Sequence, residues 1–145
     1  MPAFDGSLVF DVGTGSGILA IAALMLGARE AIACDTDVVA VIATRENAEI
    51  NHVDAHLTVH EGGIETITGV CDLLVINILA EVVASLAPDI AARVRPGGVV
   101  IASGIILARQ ALVEDAFRAA GLEVTHAEHQ GEWVVVEARQ PASKA

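Results

Sequence analysis

Aromatic residues are scarce in this chain: three Phe, one Trp and no Tyr among 145 residues. Cysteine is scarcer, with only Cys34 and Cys71, both inside apolar segments, so a disulfide framework is excluded as the source of stability. They also lack paired-ligand spacing, and no metal site is expected. Lys144 is the sole lysine, and 8 basic residues face 19 acidic ones for a net charge of −11. A nucleic-acid binder needs a cationic surface to neutralise phosphates, so direct binding of DNA or RNA is not expected. A basic protein suits this charge better as a partner, through electrostatic steering. No apolar run approaches a membrane span; the longest covers residues 18–26. No basic segment precedes an apolar one at the N-terminus, so the expectation is a soluble cytoplasmic protein.

Hydrophobic residues make up 54% of the chain and charged ones 19%, which fits one globular domain with a sizeable core rather than a disordered segment. Strand-like and helix-like segments alternate. Strands are predicted at 8–12, 31–35, 57–60, 72–77 and 99–103, with helices at 17–27, 37–51 and 106–120. Pro88 is expected to interrupt the helix after the fourth strand, and Pro96-Gly97-Gly98 to form a turn. On the helix at 106–120, Leu112, Ala116, Phe117 and Ala120 share the apolar face. Residues 122–128 and 133–138 read as an antiparallel pair around Gly131, with Trp133 packed in the hairpin. The tail from 139 to 145 is expected to fray. Near-continuous apolar strands separated by helices imply an α/β fold, with a doubly wound, mostly parallel sheet and a C-terminal antiparallel hairpin.

The most informative stretch is VFDVGTGSGILAIAA, residues 9–23, where a glycine loop joins a strand to a helix. It is not the phosphate loop of nucleotide hydrolases, because no Lys follows the glycines. The dinucleotide fingerprint needs a third glycine five residues after the first, and that position is Ile18, with Gly17 one place early. A β-branched side chain there obstructs the close approach a pyrophosphate needs, so a nicotinamide oxidoreductase is the least favoured reading. The spacing G-x-G-x-G after an acid suits a ligand with a sugar and a charged amino-acid end. Asp11 can act on an ammonium group directly or through water, and the helix N-terminus favours a carboxylate. Asp35, 22 residues after Gly13 at the end of the second strand, can accept from ribose hydroxyls. S-adenosylmethionine carries all these groups. Taken singly, the glycines could form no more than a tight turn, and Asp35 with Asp37 a helix cap; in order at the ends of two strands, they favour the ligand.

DVGTGSGILAIAA resembles the first motif of class I S-adenosylmethionine-dependent methyltransferases, which implies their Rossmann-like fold. The likeness is strongest to the bacterial enzymes that methylate protein eleven of the large ribosomal subunit. It continues through ACDTDVVAV, RENAEINHV, VINILAE, VRPGG, ASGII and GEWV, and so spans residues 8 to about 138. NILAE is the most telling, because many DNA and glutamine methyltransferases are expected to carry N/D-P-P-Y/F at that place.

The resemblance implies that Gly13, Gly15 and Gly17, with Asp11 and Thr14, underlie the methionine part of the cofactor. Asp35 would hold the ribose, while Gly62, Gly63 and Ile64 would border the adenine, and Thr36 would be among the cofactor-binding residues. Asn77 would sit near the methionine end and the incoming amine, where it also reads as a cap for a helix starting near Ile78. No dedicated base is implied, and none of the five histidines is assigned a catalytic role; His60 is placed at an edge or on the adenine side. Val38 stands where the family often has Pro. Residues 1–138 would form the methyltransferase domain, without the upstream substrate-recognition domain and cofactor-covering segment of the family. The function implied is N-methylation of a lysine or α-amine on a basic, ribosomal protein. The alternative is a cofactor-binding module or fragment that is not catalytic without its substrate domain.

Overall fold

The computed structural model describes residues 5–142. The chain divides into two compact units, Met1–Cys71 and Asp72–Ala145.

In the first unit β1 (Leu8–Val12), β2 (Glu30–Asp35) and β3 (Leu57–Glu61) run parallel in the order β3-β2-β1. Helices α1 (Ile18–Met25) and α2 (Val38–Ile50) make the two crossovers. Parallel strands need such crossovers, and helices over the sheet bury its faces, which is why β1 reads as a continuous apolar run: Val9 and Phe10 are fully buried. The register pairs Val12 with Cys34 and Asp35 with Glu61, so the loops leaving the three strands emerge at one end. His60 lies on β3, the outermost strand of this order.

In the second unit β4 (Cys71–Asn77), β5 (Val94–Ile106), β6 (Glu123–Gln130) and β7 (Trp133–Arg139) follow the order β4-β5-β7-β6, with β7 antiparallel to both its neighbours. Helix α3 (Ala80–Ala92) precedes β5 and α4 (Gln110–Ala119) follows it. The parallel strands and crossover helices of the first unit, and the closing antiparallel hairpin of the second, are those of the doubly wound α/β class with a C-terminal antiparallel hairpin that the sequence predicts.

Several local expectations are corrected. Helix α3 runs through Pro88 without a break. Its buried stripe, Ala80, Val83, Ala87 and Ile90, spans both sides of the proline. Packing of that stripe outweighs the roughly 3 kcal/mol that an interior proline costs, and the ring itself is exposed. Pro96-Gly97-Gly98 is not a free turn but part of β5. Gly97 takes φ +79, and the backbones of Gly97 and Gly98 both bond to Gln140. The segment expected to fray is therefore held through Gln140, whose amide also donates to the Ala91 carbonyl (2.8 Å); residues 143–145 lie outside the described residues. On α4 the buried residues are Val113 and Phe117, while Leu112 is 43% exposed. The α-helix there begins only at Gln110, after a 3-10 turn at Leu107–Arg109. Trp133 is 60% exposed rather than packed in the hairpin.

Candidate ligand site at the glycine loop

The loop after β1 begins at Gly13, whose N–H donates to the Cys34 carbonyl at the end of β2 (2.9 Å), as does that of Thr14 (3.0 Å). Gly13, Gly15 and Gly17 take φ of +73, +60 and +86, which L side chains adopt at a cost. The glycines differ in what lies above them. No heavy atom comes within 4 Å of where a Cβ on Gly15 would stand, so its face is open to a ligand. A Cβ on Gly17 would sit 2.7 Å from Thr44 Cγ2, so Gly17 is glycine because α2 packs against it.

The two acids meet this loop from different strands. Asp35 Oδ2 accepts from the Gly15 N–H (2.9 Å), and its Oδ1 accepts from the Asp37 N–H (2.9 Å). Each oxygen keeps a further lone pair for an outside donor. Asp37, not Asp35, caps α2, accepting from the Val39 N–H (2.9 Å). Asp11 is 1% exposed, and its Oδ2 accepts from Thr14 Oγ1 (2.8 Å) and from the Ala20 N–H (3.2 Å) in the first turn of α1. Gly17, the N-cap of α1, has no side chain to cap with, so Asp11 supplies that acceptor from the strand. Asp11 Oδ1 has no partner. Burial pushes this carboxyl up to about 6 against the lowering effect of Thr14 and Ala20, and Asp35 adds to the rise. Burial likewise pushes the Cys34 thiol up to about 11, so it is no nucleophile at neutral pH.

The remaining predicted residues fall into place unevenly. Thr36 is exposed at the bend between β2 and α2. The Gly62 N–H donates to the Asp35 carbonyl (2.8 Å), which ties the loop after β3 to the same end. The Gly63 N–H is taken by Glu65 Oε1 (3.1 Å). Ile64 is 2% exposed, so its side chain belongs to the core and only its backbone can face a ligand. Asn77 ends β4 in the second unit and is exposed. It is not the cap expected: α3 starts at Ala80, with Leu79 as an N-cap that makes no side-chain bond. Among the described residues no group of three or more His, Cys, Asp or Glu side chains could hold a metal ion.

Two supporting residues escape a reading of the sequence. Thr44 Oγ1 donates to the Gly15 carbonyl (2.9 Å), and Asn47 Nδ2 donates to the Ser16 carbonyl (2.8 Å). Their signal is two polar residues three apart on one helix, with Thr44 fully buried. The bonds themselves span some thirty positions of chain, which no local pattern encodes. A groove of about 330 Å³ along α1 and α2, which Ile18, Met25 and Asn51 help to line, contains none of the predicted site residues.

The geometry is therefore a strand–glycine loop–helix with one open glycine, a buried acid behind it and a second acid bridging to the next strand. Known proteins resemble the chain that carries it. The family described as "Ribosomal protein L11 methyltransferase (PrmA)" matches residues 3–141. The ribosomal protein L11 methyltransferase of Pelotomaculum thermopropionicum is 46% identical over 138 residues, covering 94% of this chain and 45% of that protein. The chain thus spans less than half the length of this curated relative. The crystal structure of ribosomal protein L11 methylase from Lactobacillus delbrueckii subsp. bulgaricus superposes with a TM-score of 0.90 at 33% identity, over 94% of this chain and 71% of that one. An RNA methyltransferase from Salinibacter ruber, solved with S-adenosyl-L-homocysteine, shares the fold at 17% identity (TM-score 0.77; 98% and 86% covered). With the family match running almost from end to end, this chain belongs to the PrmA family of ribosomal protein L11 methyltransferases.

Proposed function

We propose that this chain is the cofactor-binding and methyl-transferring part of an S-adenosylmethionine-dependent protein methyltransferase that modifies amines of a ribosomal protein. The observation that carries the reading is the bond from Gly15 to Asp35, which sets an open glycine beside a carboxylate with free lone pairs. Bound there, S-adenosylmethionine supplies a methyl group activated on a sulfonium. Gly15 lets the backbone pass beneath its methionine end, Gly13, Thr14 and Gly17 shape the loop that carries it, and Asp11 provides the negative charge behind the loop. Asp35 and Thr36 hold the ribose, while Gly62, Gly63 and the backbone of Ile64 border the adenine. Asn77 offers its carboxamide to the methionine end of the cofactor and to the incoming amine.

A lysine with its ordinary pKa near 10.4 costs about 4 kcal/mol to neutralise at pH 7.4; for an amine that arrives deprotonated, its proton already given to solvent, the work left to the protein is alignment and exclusion of water. The acidic balance of the chain suits a basic protein segment, and disfavours nucleic acid as a direct partner. Residues 1–138 are the methyltransferase domain in this reading, and the bonds of Gln140 extend its ordered edge. Titration calorimetry of the full chain with S-adenosylhomocysteine, beside NAD and beside Asp35→Ala, tests it. Binding of the homocysteine product that drops at least tenfold in Asp35→Ala is expected. Binding of NAD in its place would overturn the reading. Product binding without methyl transfer to a ribosomal protein would leave the chain a binding module.

A further inference from the structure

Strand β5 changes phase near its end. Gly98, Val100 and Ala102 are buried in alternation, but the next buried residue is Ile105. The pairing with β7 slips at the same place, between Ala102 and Ile105, as a bulge does when it bends a strand and redirects its side chains. The residues inside the slip are Ser103 and Gly104, and Gly104 takes φ +71. Against it lies the end of β4: a Cβ on Gly104 would overlap Asn77 Oδ1 and stand 3.2 Å from Asn77 Cγ. Asn77 caps no helix, and no hydrogen bond within the described residues fastens its carboxamide. What the fold gives the carboxamide is room, over the bare backbone of Gly104.

We propose that Gly104 is a positioning residue: the bulge at Ser103–Gly104 makes a seat, open only to glycine, that holds the Asn77 carboxamide for the acceptor amine. The role of Asn77 toward that amine rests on the function proposed above; the seat itself does not. An ordinary strand residue at 104 would occupy the space of the Asn77 oxygen. It would also be strained at φ +71, because L side chains rarely adopt that angle.

The backbone strain and the contact separate in a double-mutant cycle of Gly104→Ala and Asn77→Ala on the full chain. Strain is common to both backgrounds, whereas the contact exists only with Asn77. In the 15N-labelled protein without ligand, Gly104→Ala is expected to shift the side-chain amide resonances of Asn77, identified by their loss in Asn77→Ala. It is expected to lower the unfolding midpoint more in the Asn77 background than in the Asn77→Ala background. Affinity for S-adenosylhomocysteine should fall at least fivefold with Asn77 present and less than twofold without it. Should Gly104→Ala fold only when Asn77 is also removed, the seat is upheld. Unmoved Asn77 resonances, equal losses in the two backgrounds, or failure of the double variant to fold would each overturn it. A wild-type chain that ignores S-adenosylhomocysteine would refute the proposed function, while the resonances and midpoints would still decide the seat.

Discussion

Replacing Asp11 by Asn should make the protein's stability less dependent on pH. Asp11 is 1% exposed, one of its oxygens has no partner, and burial lifts its carboxyl from the ordinary 3.8 to about 6. The folded state thus keeps the proton to higher pH than the unfolded state does. The contribution of Asp11 to stability is then greatest below pH 3.8 and is lost as pH rises through 6, the reverse of a salt-bridged aspartate. At about 1.4 kcal/mol per pH unit, the full loss is about 3 kcal/mol, of which about half has accrued by pH 5. Asn keeps the acceptor for Thr14 and Ala20 and carries no charge, so it resembles the protonated acid. Other carboxylates titrate in both proteins and cancel in the difference. Urea unfolding followed by circular dichroism should therefore show Asp11→Asn gaining on the wild type by about 1.4 kcal/mol between pH 5.0 and 7.5. A gap that stays constant across that range would mean Asp11 is already ionised at pH 5, held by the N-terminus of α1, and would refute the reasoning.

Gly17→Ala should destabilise the protein by roughly 1–3 kcal/mol, through φ +86 and the overlap with Thr44; Thr44→Ala should relieve part of that loss in the double variant, and thermal unfolding of the four proteins measures it. Trp133 is the only tryptophan and there is no tyrosine, so the fluorescence reports one site. At 60% exposure its emission should resemble that of free tryptophan, be quenched readily by acrylamide, and change little on unfolding; a blue-shifted, protected emission would contradict the exposed hairpin.

Family resemblance and local pattern made most of the candidate site's frame, its loop and two acids, legible in the sequence. The glycine spacing, Asp11 at the end of β1 and Asp35 at the end of β2 are neighbours by rule, because parallel strands in step put their outgoing loops at one end. The hairpin was legible from two strand-like segments joined around Gly131. The course of α3 was not, since local preference places a proline at a helix start, and the packing of Val83 and Ile90 on either side overrides it. The strand through Pro96-Gly97-Gly98 was likewise hidden, because its partner is Gln140, more than forty residues on.

What the sequence determined by itself was whatever depends on near neighbours: the alternation of strands and helices, the left-handed glycines of the loop, and the acid placed before them. Tertiary structure alone decided which glycine faces open space and which faces Thr44, that Asp11 keeps one buried oxygen unpartnered, and that Gly104 lies against Asn77. These are contacts between elements far apart in the chain, and their meaning lies in distances of a few ångströms that composition and periodicity do not carry.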